Sequence, residues 1–308
     1  MLKRYAIVNG RPEESPTADA PIWVFFAPEE DERRRLETEF HLDAHTLASA
    51  LDPDEPSRLE FEPDHLVLIF KRPKNYSAKD HFMFKVASTG LFLFKDRLIV
   101  VISEDLPLFG GKLFQSCESI EEVSLRLLYL SIHHFLEHLK VIVMISDEIE
   151  GKINVSMENK YLLNLFSLEK SLVYYLNAIN SNTYAIDKLR NHLAKTAFTP
   201  KCRELLDDIG IENTQCYRQA EIHSNILAGL MDARASIVGN NLNILMKKLN
   251  AIVVAVMVPS FFAGVGGMSE WTMMTGKTDW RVSYTLFMLV MLLLGAVTYW
   301  AIAKLEKN

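Results

Sequence analysis

Hydrophobic and polar positions follow three successive regimes along the chain, and each regime predicts a different kind of element. From residue 1 to about 115 the apolar positions come as short runs rich in β-branched and aromatic residues. Tyr5 to Val8, Ile22 to Phe26, Leu66 to Phe70, Phe82 to Ala87, Leu91 to Phe94 and Leu98 to Ile102 are predicted strands. Two helices are predicted between them. Ala27-Pro28 followed by EEDERRRLETEF is a helix start, with acidic residues in the first turn and basic ones behind, and a shorter helix covers Ala44 to Leu51, closed by Asp52-Pro53. Lys95-Asp96 is a turn between apolar runs, with a weaker hairpin signal than Asn-Gly.

From Ser119 onward the strand pattern stops. Val123, Leu127, Leu130, Ile132, Leu136, Leu139, Ile142, Ile145 and Ile149 recur at three- and four-residue spacing, the apolar stripe of a helix about thirty residues long. A second long helix is predicted from about Met157 to Ala197, ended by Thr199-Pro200, because proline breaks a helix interior and suits a helix start. The third begins near Lys201 and meets no strong breaker before Pro259, so it is expected to run into the next apolar segment as a rod on the order of 100 Å. Such a helix needs neighbours along its length, which predicts a bundle or an oligomer.

The third regime is apolar almost throughout. Leu249 to Met268 and Val282 to Ala303 contain no charged residue, and each is long enough to cross a hydrocarbon core of roughly 30 Å as a helix. A short polar loop opening with Gly266-Gly267-Met268-Ser269-Glu270 separates them. The expected organisation is therefore an α/β domain over 1–117, a helical stalk over 118–248, a first span over 249–268, an outer loop over 269–281, a second span over 282–303 and a basic tail over 304–308. In fold class this is an α+β cytoplasmic domain followed by a long-helix stalk and two C-terminal transmembrane helices. About four fifths of the 308 residues precede the spans, which excludes a multi-span permease.

Charge refines the picture. With 33 Lys and Arg against 39 Asp and Glu, for a net charge of −6, the chain has no basic footprint, and nucleic acid is excluded as an expected partner. Lys247 and Lys248 precede the first span and Lys304 and Lys307 follow the second, whereas Lys277 and Arg281 in the loop are offset by Glu270 and Asp279. That asymmetry predicts both termini on the cytoplasmic side of the inner membrane. The first twenty residues hold no apolar export segment, consistent with the same expectation. Trp271, Trp280, Tyr299 and Trp300 cluster near the span ends, at headgroup level. Cys117, Cys202 and Cys216 are scattered and form no C-x-x-C, which predicts reduced thiols and argues against a thiolate metal site.

Candidate chemistry is sparse. No phosphate-cradling glycine loop, G-x-S-x-G or H-E-x-x-H occurs, so an enzyme is not expected. His134 and His138 lie four apart and could supply two zinc ligands from one helix face, although packing is the commoner fate of such a pair. The charge block from Glu29 to Arg35 is expected as an exposed first turn with its counter-charges.

The order of these parts resembles the CorA family of divalent-cation channels. The strongest local match is PSFFAGVGGMS, Pro259 to Ser269, which is similar to that family's run at the end of the first span, where a glycine-methionine-asparagine motif stands. Gly229 to Asp232 and Asn240 to Leu249 resemble the segments before it, and PIWVFFAPEEDE and Asp52 to Phe61 resemble stretches of its N-terminal domain. The resemblance implies a homopentamer in the lipid bilayer, passing divalent cations through a pore lined by the first span. Gly267, Met268, Ser269 and Glu270 would form its outer mouth, with Gly264 and Gly267 allowing close helix approach.

Ser269 stands where the family has asparagine. A ring of side chains there would hydrogen-bond the water shell that Mg²⁺ sheds reluctantly, and a serine ring is wider and less selective. Glu270 would add one negative charge per subunit. Asn243, Met246, Asn250, Val253, Met257, Ser260 and Gly264 would face the axis, Asp232 would form an acidic ring deeper in the funnel, and Asp208 matches an acid that binds regulatory Mg²⁺. The usual acidic partner of that last site is replaced by Leu47-Ala48-Ser49. No cofactor is implied beyond the transported or regulatory cation, Mg²⁺ first, with Zn²⁺, Co²⁺ or Ni²⁺, with or without proton linkage, as the alternative. A poorly conducting pentameric sensor or scaffold is the second alternative.

Overall fold

Two strands made of five consecutive apolar residues decide where the sheet of the N-terminal region lies. Ile22–Phe26 (β3) and Leu98–Ile102 (β7) are buried at every position and pair in parallel from Ile22 opposite Leu98 to Phe26 opposite Ile102. A strand apolar on both faces needs cover on both faces, and the side-chain period of two delivers it. Ile22, Val24, Phe26, Leu98, Val100 and Ile102 enter one apolar core; Trp23, Phe25, Ile99 and Val101 enter another on the opposite side.

The computed structural model describes residues 1–77, 80–155, 159–193, 199–267, 273, 276–277 and 279–305. It divides into two units, Met1–Met231 and Asp232–Asn308. In the first, Leu2–Val8 (β1), Arg11–Glu14 (β2), Arg58–Phe61 (β4), His65–Pro73 (β5) and Val86–Phe94 (β6) complete a seven-stranded sheet in the order β2-β1-β3-β7-β6-β5-β4. Every pairing except β3 with β7 is antiparallel.

One face is covered by Glu30–Glu39 (α1) and Ala44–Ser49 (α2), which bring Leu36, Leu47 and the adjoining Leu42 and Ala50 onto Trp23, Phe25, Val67, Ile69 and Phe92. Helix α1 begins with a capping box between Glu29 and Glu32, and Asp43 caps α2 by accepting from the Thr46 N–H at 2.9 Å. The Trp23 indole is flanked by the guanidinium groups of Arg4, Arg97 and Arg35 at 4.7, 4.8 and 5.2 Å from the ring centre. The other face is covered by the long helices Ile120–Val155 (α3), Asn159–Leu193 (α4) and the first part of Pro200–Gly266 (α5).

Several expectations change here. Phe82 to Ala87 and Leu91 to Phe94 are not two strands: β6 is one strand from Val86 to Phe94, and His81 and Phe82 have positive φ. Gly90, between the two expected runs, is mid-strand, and the end of α2 rests on it; a Cβ there would lie 2.5 Å from that of Ala50. Strands β2 and β4 carry no apolar run. Strand β2 is an edge with Pro12 and two glutamates, joined to β1 through Asn9-Gly10, both at positive φ as a tight hairpin turn requires. The Lys95-Asp96 turn is present, with the Phe94 N–H donating to the Arg97 carbonyl at 2.8 Å. Helix α4 covers Asn159–Leu193, and the expected ends at Met157 and Ala197 lie outside the described residues.

Helix α3 is also long and apolar enough to cross a membrane. Its stripe is spent otherwise: Val123, Ile132, Leu139 and Ile142 are buried in the core beneath the sheet. Helix α4 docks on the sheet through polar side chains. Strand β5 outruns β4, whose last paired residue on that side is Arg58 opposite Ile69, and this leaves the Lys71 peptide without a strand partner. Asn182, fully buried, takes that place. Its Oδ1 accepts from the Lys71 N–H at 2.8 Å and from the Ser57 hydroxyl at 2.7 Å, and its Nδ2 donates to the Lys71 carbonyl at 2.9 Å. Ser131 of α3 donates to the same carbonyl at 2.9 Å, and Ser171 and Ser181 of α4 accept from the Phe84 and Ser57 N–H groups at 2.9 and 2.6 Å.

Because Asn182→Leu keeps the volume but strips the buried Lys71 N–H and the Ser57 hydroxyl of their acceptor, it is expected to lower the unfolding free energy by about 3 kcal/mol. Urea unfolding of the full-length protein in detergent, followed by far-ultraviolet circular dichroism, measures it. A loss under about 0.5 kcal/mol means water replaces the amide.

Candidate functional site

The second unit consists of the C-terminal part of α5, from Asp232, and Trp280–Leu305 (α6). Both are long and apolar enough to cross a membrane; no residue of the most apolar window of α6 is buried, and few of that of α5 are. Unlike α3, these helices carry large apolar side chains that stay exposed among the described residues, including Val253, Val256, Met257, Phe261, Leu286, Leu289, Leu292 and Leu293. Asp279 starts α6: its carbonyl accepts from the Val282 and Ser283 N–H groups at 3.1 and 3.0 Å, and its carboxylate from Arg281 N–H at 3.1 Å. Arg281 packs over Trp280 at 5.5 Å and Lys304 over Trp300 at 5.1 Å. The two indoles are separated by about 30 Å of helix, the thickness of a hydrocarbon core.

Small residues set how closely the two helices pack. A Cβ on Gly266 would lie 2.8 Å from the Phe287 ring, and one on Gly295 would lie 3.4 Å from both the Ala255 carbonyl oxygen and the Pro259 ring. Pro259 lies inside α5 without ending it. It has no N–H, so the Ala255 carbonyl loses its helical donor, and Gly295 packs against that spot. Within the chain, a Cβ on Gly264 would meet nothing within 4 Å, and one on Gly267 only carbonyls of its own helix, so neither bears on the contact with α6. The close approach within the chain is made by Gly266.

The face of α5 turned toward α6 is marked by Ala251 and Ala255, both buried, and by Pro259, Phe262 and Gly266, which border the space beside α6. At about 100° per residue, Asn243, Met246, Asn250, Val253, Met257, Ser260 and Gly264 fall within an arc of about 100° on the opposite side. All seven are exposed. Ser260 lies at the margin of the arc, and its hydroxyl donates to the Val256 carbonyl at 2.8 Å. Gly267 closes the helix, its N–H donating to Ala263 and Gly264 carbonyls at 3.1 and 3.3 Å. Met268, Ser269 and Glu270 lie outside the described residues, as do Trp271 and Lys307.

The two acids are not brought together. Asp232 opens the second unit as an exposed side chain, whereas Asp208 belongs to the first. With Glu212, Asp208 adds to the burial that raises the Tyr129 hydroxyl pKa. At the place where an acidic partner is missing, Ala48 is exposed and Ser49 buried. Among the described residues no group of three or more His, Cys, Asp or Glu could hold a metal ion.

The histidine pair is packing. His138 Nδ1 lies 2.6 Å from the Tyr175 hydroxyl, and its ring meets His134 edge-on at 4.3 Å and Phe84 at 5.3 Å. Burial pushes His138 down to about 4 and lowers His134 too. The three cysteines are free and buried, and burial raises Cys216 to about 12, as inert core thiols.

Fold and site together define a membrane protein with an α/β domain, three long helices and a two-helix apolar end. The chain belongs to the CorA family, matching "CorA-like Mg2+ transporter protein" over residues 19–304. Members of this family are ion transporters for divalent cations, not enzymes. It is 23% identical over 261 residues to the cobalt/magnesium transport protein CorA of Methanocaldococcus jannaschii, covering 80% of each chain. The complete structure of the CorA magnesium transporter from that organism superposes with a TM-score of 0.72 at 17% identity, over 100% of this chain and 96% of the other. The full-length CmaX protein superposes at 0.68 and 12% identity, over 99% and 97%.

Two predictions follow from this geometry. Gly266→Ala is expected to lower the thermal unfolding midpoint in detergent by overpacking worth about 1–3 kcal/mol, and adding Phe287→Leu to recover part of it; no shift in the single variant means the helices pack elsewhere. Above about pH 6.5 neither folded nor unfolded chain protonates His138. As pH falls from there toward 4, the unfolded chain takes up a proton that the folded chain refuses, so stability falls by about 1.4 kcal/mol per pH unit. His138→Gln should make that slope shallower, the remainder coming from His134 and, near pH 4, from carboxylates such as Glu122 whose pKa the fold lowers, as read from urea midpoints across that range.

Proposed function

We propose that this chain forms a homopentameric channel in the inner membrane, with both termini cytoplasmic, and passes a divalent cation, Mg²⁺ first, through a pore lined by α5. The observation that carries this reading is the two-sided character of α5. One face packs against α6 through Ala251, Ala255 and Pro259, and the opposite face, from Asn243 to Gly264, is left for a shared axis. That face mixes neutral polar groups with apolar ones, so a hydrated ion meets no deep trap and the passage can close by dewetting. The magnesium and cobalt/magnesium transport named for the relatives supports the choice of cargo.

The segments keep the bounds read from the sequence: soluble domain 1–117, stalk 118–248, spans 249–268 and 282–303, outer loop 269–281 and tail 304–308. Gly267, Met268, Ser269 and Glu270 form the outer mouth, where the serine hydroxyls accept from the ion's water shell and Glu270 concentrates cations. Asp232 adds an acidic ring below. Asp208 has no acidic partner at Ala48 or Ser49, so feedback by bound Mg²⁺ at that place is weak. An interior-negative potential supplies about 2.3 kcal/mol per charge per 100 mV, enough to drive uptake without ATP.

The test is flux into liposomes holding the purified protein and a divalent-sensitive dye. Mg²⁺ influx that follows an imposed potential is expected. If Mg²⁺, Zn²⁺, Co²⁺ and Ni²⁺ all fail to enter, the chain is a scaffold and not a channel; if only the transition metals enter, the choice of Mg²⁺ is wrong. Ser269→Asn should raise the preference for Mg²⁺ over Co²⁺ by about tenfold, the effect of roughly 1.4 kcal/mol, and an unchanged ratio removes Ser269 from the ion ring.

A further inference from the structure

Three guanidinium groups from three different elements meet on one indole. Arg4 stands directly opposite Trp23 in the ladder of β1 and β3, Arg97 follows the Lys95-Asp96 turn and leads into β7, and Arg35 comes from α1. Their Cζ atoms lie 4.7, 4.8 and 5.2 Å from the ring centre. The indole itself is fixed: it is 4% exposed, and its Nε1 donates to the Ala20 carbonyl at 2.8 Å. Arg97 also packs over Phe40 at 5.5 Å.

The lack of counter-ions sets this cluster apart. Arg35 is paired with Glu39 at 2.8 Å, but Arg4 and Arg97 form no ion pair and donate no hydrogen bond among the described residues. Asp96, adjacent to Arg97 in the chain, and Glu13, on the strand next to β1, pair with neither. The other half-buried arginines of the first unit, Arg35, Arg58, Arg126 and Arg190, each have an acidic partner. In Arg4 and Arg97 the Nε is shut away from solvent, whereas the Nη groups stay open to it. Both residues therefore present their Nη ends outward, free to donate.

The charge balance narrows what they would bind. Three cations in contact with one carboxylate leave two positive charges unbalanced. Like charges held this close repel, and stacking on the indole holds them in place without neutralising them. A balancing ligand needs two negative charges and several acceptor oxygens, reaching guanidinium groups whose Cζ atoms are at most about 10 Å apart. A phosphate monoester, with close to two negative charges at pH 7 and three acceptor oxygens, matches both the charge and the planar forks. A carboxylate balances only half the charge. The indole is covered, so no aromatic base can stack on it.

We propose that this cluster is a binding site for the phosphate group of a small soluble phosphate monoester, whose oxygens accept from the Nη groups of Arg4 and Arg97 while Arg35 adds its charge. A ligand there joins β1, the turn before β7 and α1, all within the first unit.

Glycerol 3-phosphate is the probe, titrated calorimetrically at pH 8 into the full-length protein in detergent at constant ionic strength. Saturable binding of one molecule per chain is expected, with a Kd of about 1 mM or tighter. Acetate, with one charge, should bind at least about tenfold more weakly. Arg4→Gln and Arg97→Gln should each weaken glycerol 3-phosphate by about tenfold or more. Either change also uncovers the indole and can loosen the domain, so Glu39→Gln, at an exposed side chain, provides the second test. It leaves all three guanidinium groups in place and removes the one competing carboxylate, and should tighten binding by about threefold with circular dichroism unchanged. No saturable binding, equal binding of acetate, affinity unmoved by both arginine variants, or affinity unmoved or weakened by Glu39→Gln each overturns the proposal. So does binding of phosphatidic acid in the micelle without binding of glycerol 3-phosphate, which would assign the site to lipid.

Discussion

A peptide group taken out of water must find another partner, and this constraint organises both parts of the molecule. In the first unit it falls on Lys71, where β5 continues past the end of β4. Asn182 supplies an acceptor and a donor in the geometry of a missing strand residue, and so ties α4 to the sheet at one fixed register. The serines of α3 and α4 repeat the device at neighbouring peptides. Apolar contacts between helix and sheet are tolerant of small slips; paired amide hydrogen bonds are not. The helical layer therefore owes its placement to a few buried polar side chains and its strength to the apolar core around them.

Helix α5 meets two different demands along its length. Near its start, Cys202, Leu206, Ile209 and Asn213 are buried in the first unit, and Gly210 lets the Arg190 side chain of α4 lie directly over it. Beyond Asp232 the same helix exchanges that partner for α6, and small residues replace large ones at the contact. The change follows the solvent. In water, large apolar side chains gain from burial; between apolar helices in lipid, close backbone packing is what remains to be gained.

The apolar regimes of the sequence account for most of the fold. Strands β3 and β7 and the course of α3 and α5 were legible because each is long or strongly periodic, and the membrane helices because charge is missing from them. Strands β2 and β4 were not, since edge strands carry polar residues and their pairing is decided by the neighbour. The continuity of β6 through Gly90 was hidden for a related reason: the missing side chain there serves the packing of Ala50, which no local pattern reveals. In the candidate site, helical spacing places the seven stripe residues on one face of α5, while the reading of that face as a pore lining came from the family resemblance. The contact between α5 and α6 could not, because nothing local distinguishes Gly266 and Gly295 from Gly264 and Gly267 until the facing Phe287 and Pro259 are known.

The proline in α5 changes what counts as a membrane-spanning unit. A carbonyl without a donor costs several kcal/mol in hydrocarbon, and Pro259 creates one at Ala255 in the middle of an apolar helix. Gly295 of the other helix packs against that place, where a Cβ would lie 3.4 Å from the oxygen, at ordinary contact distance. For insertion into a bilayer, α5 by itself therefore carries a polar cost in its middle, and α6 is the element that covers the place where that cost falls.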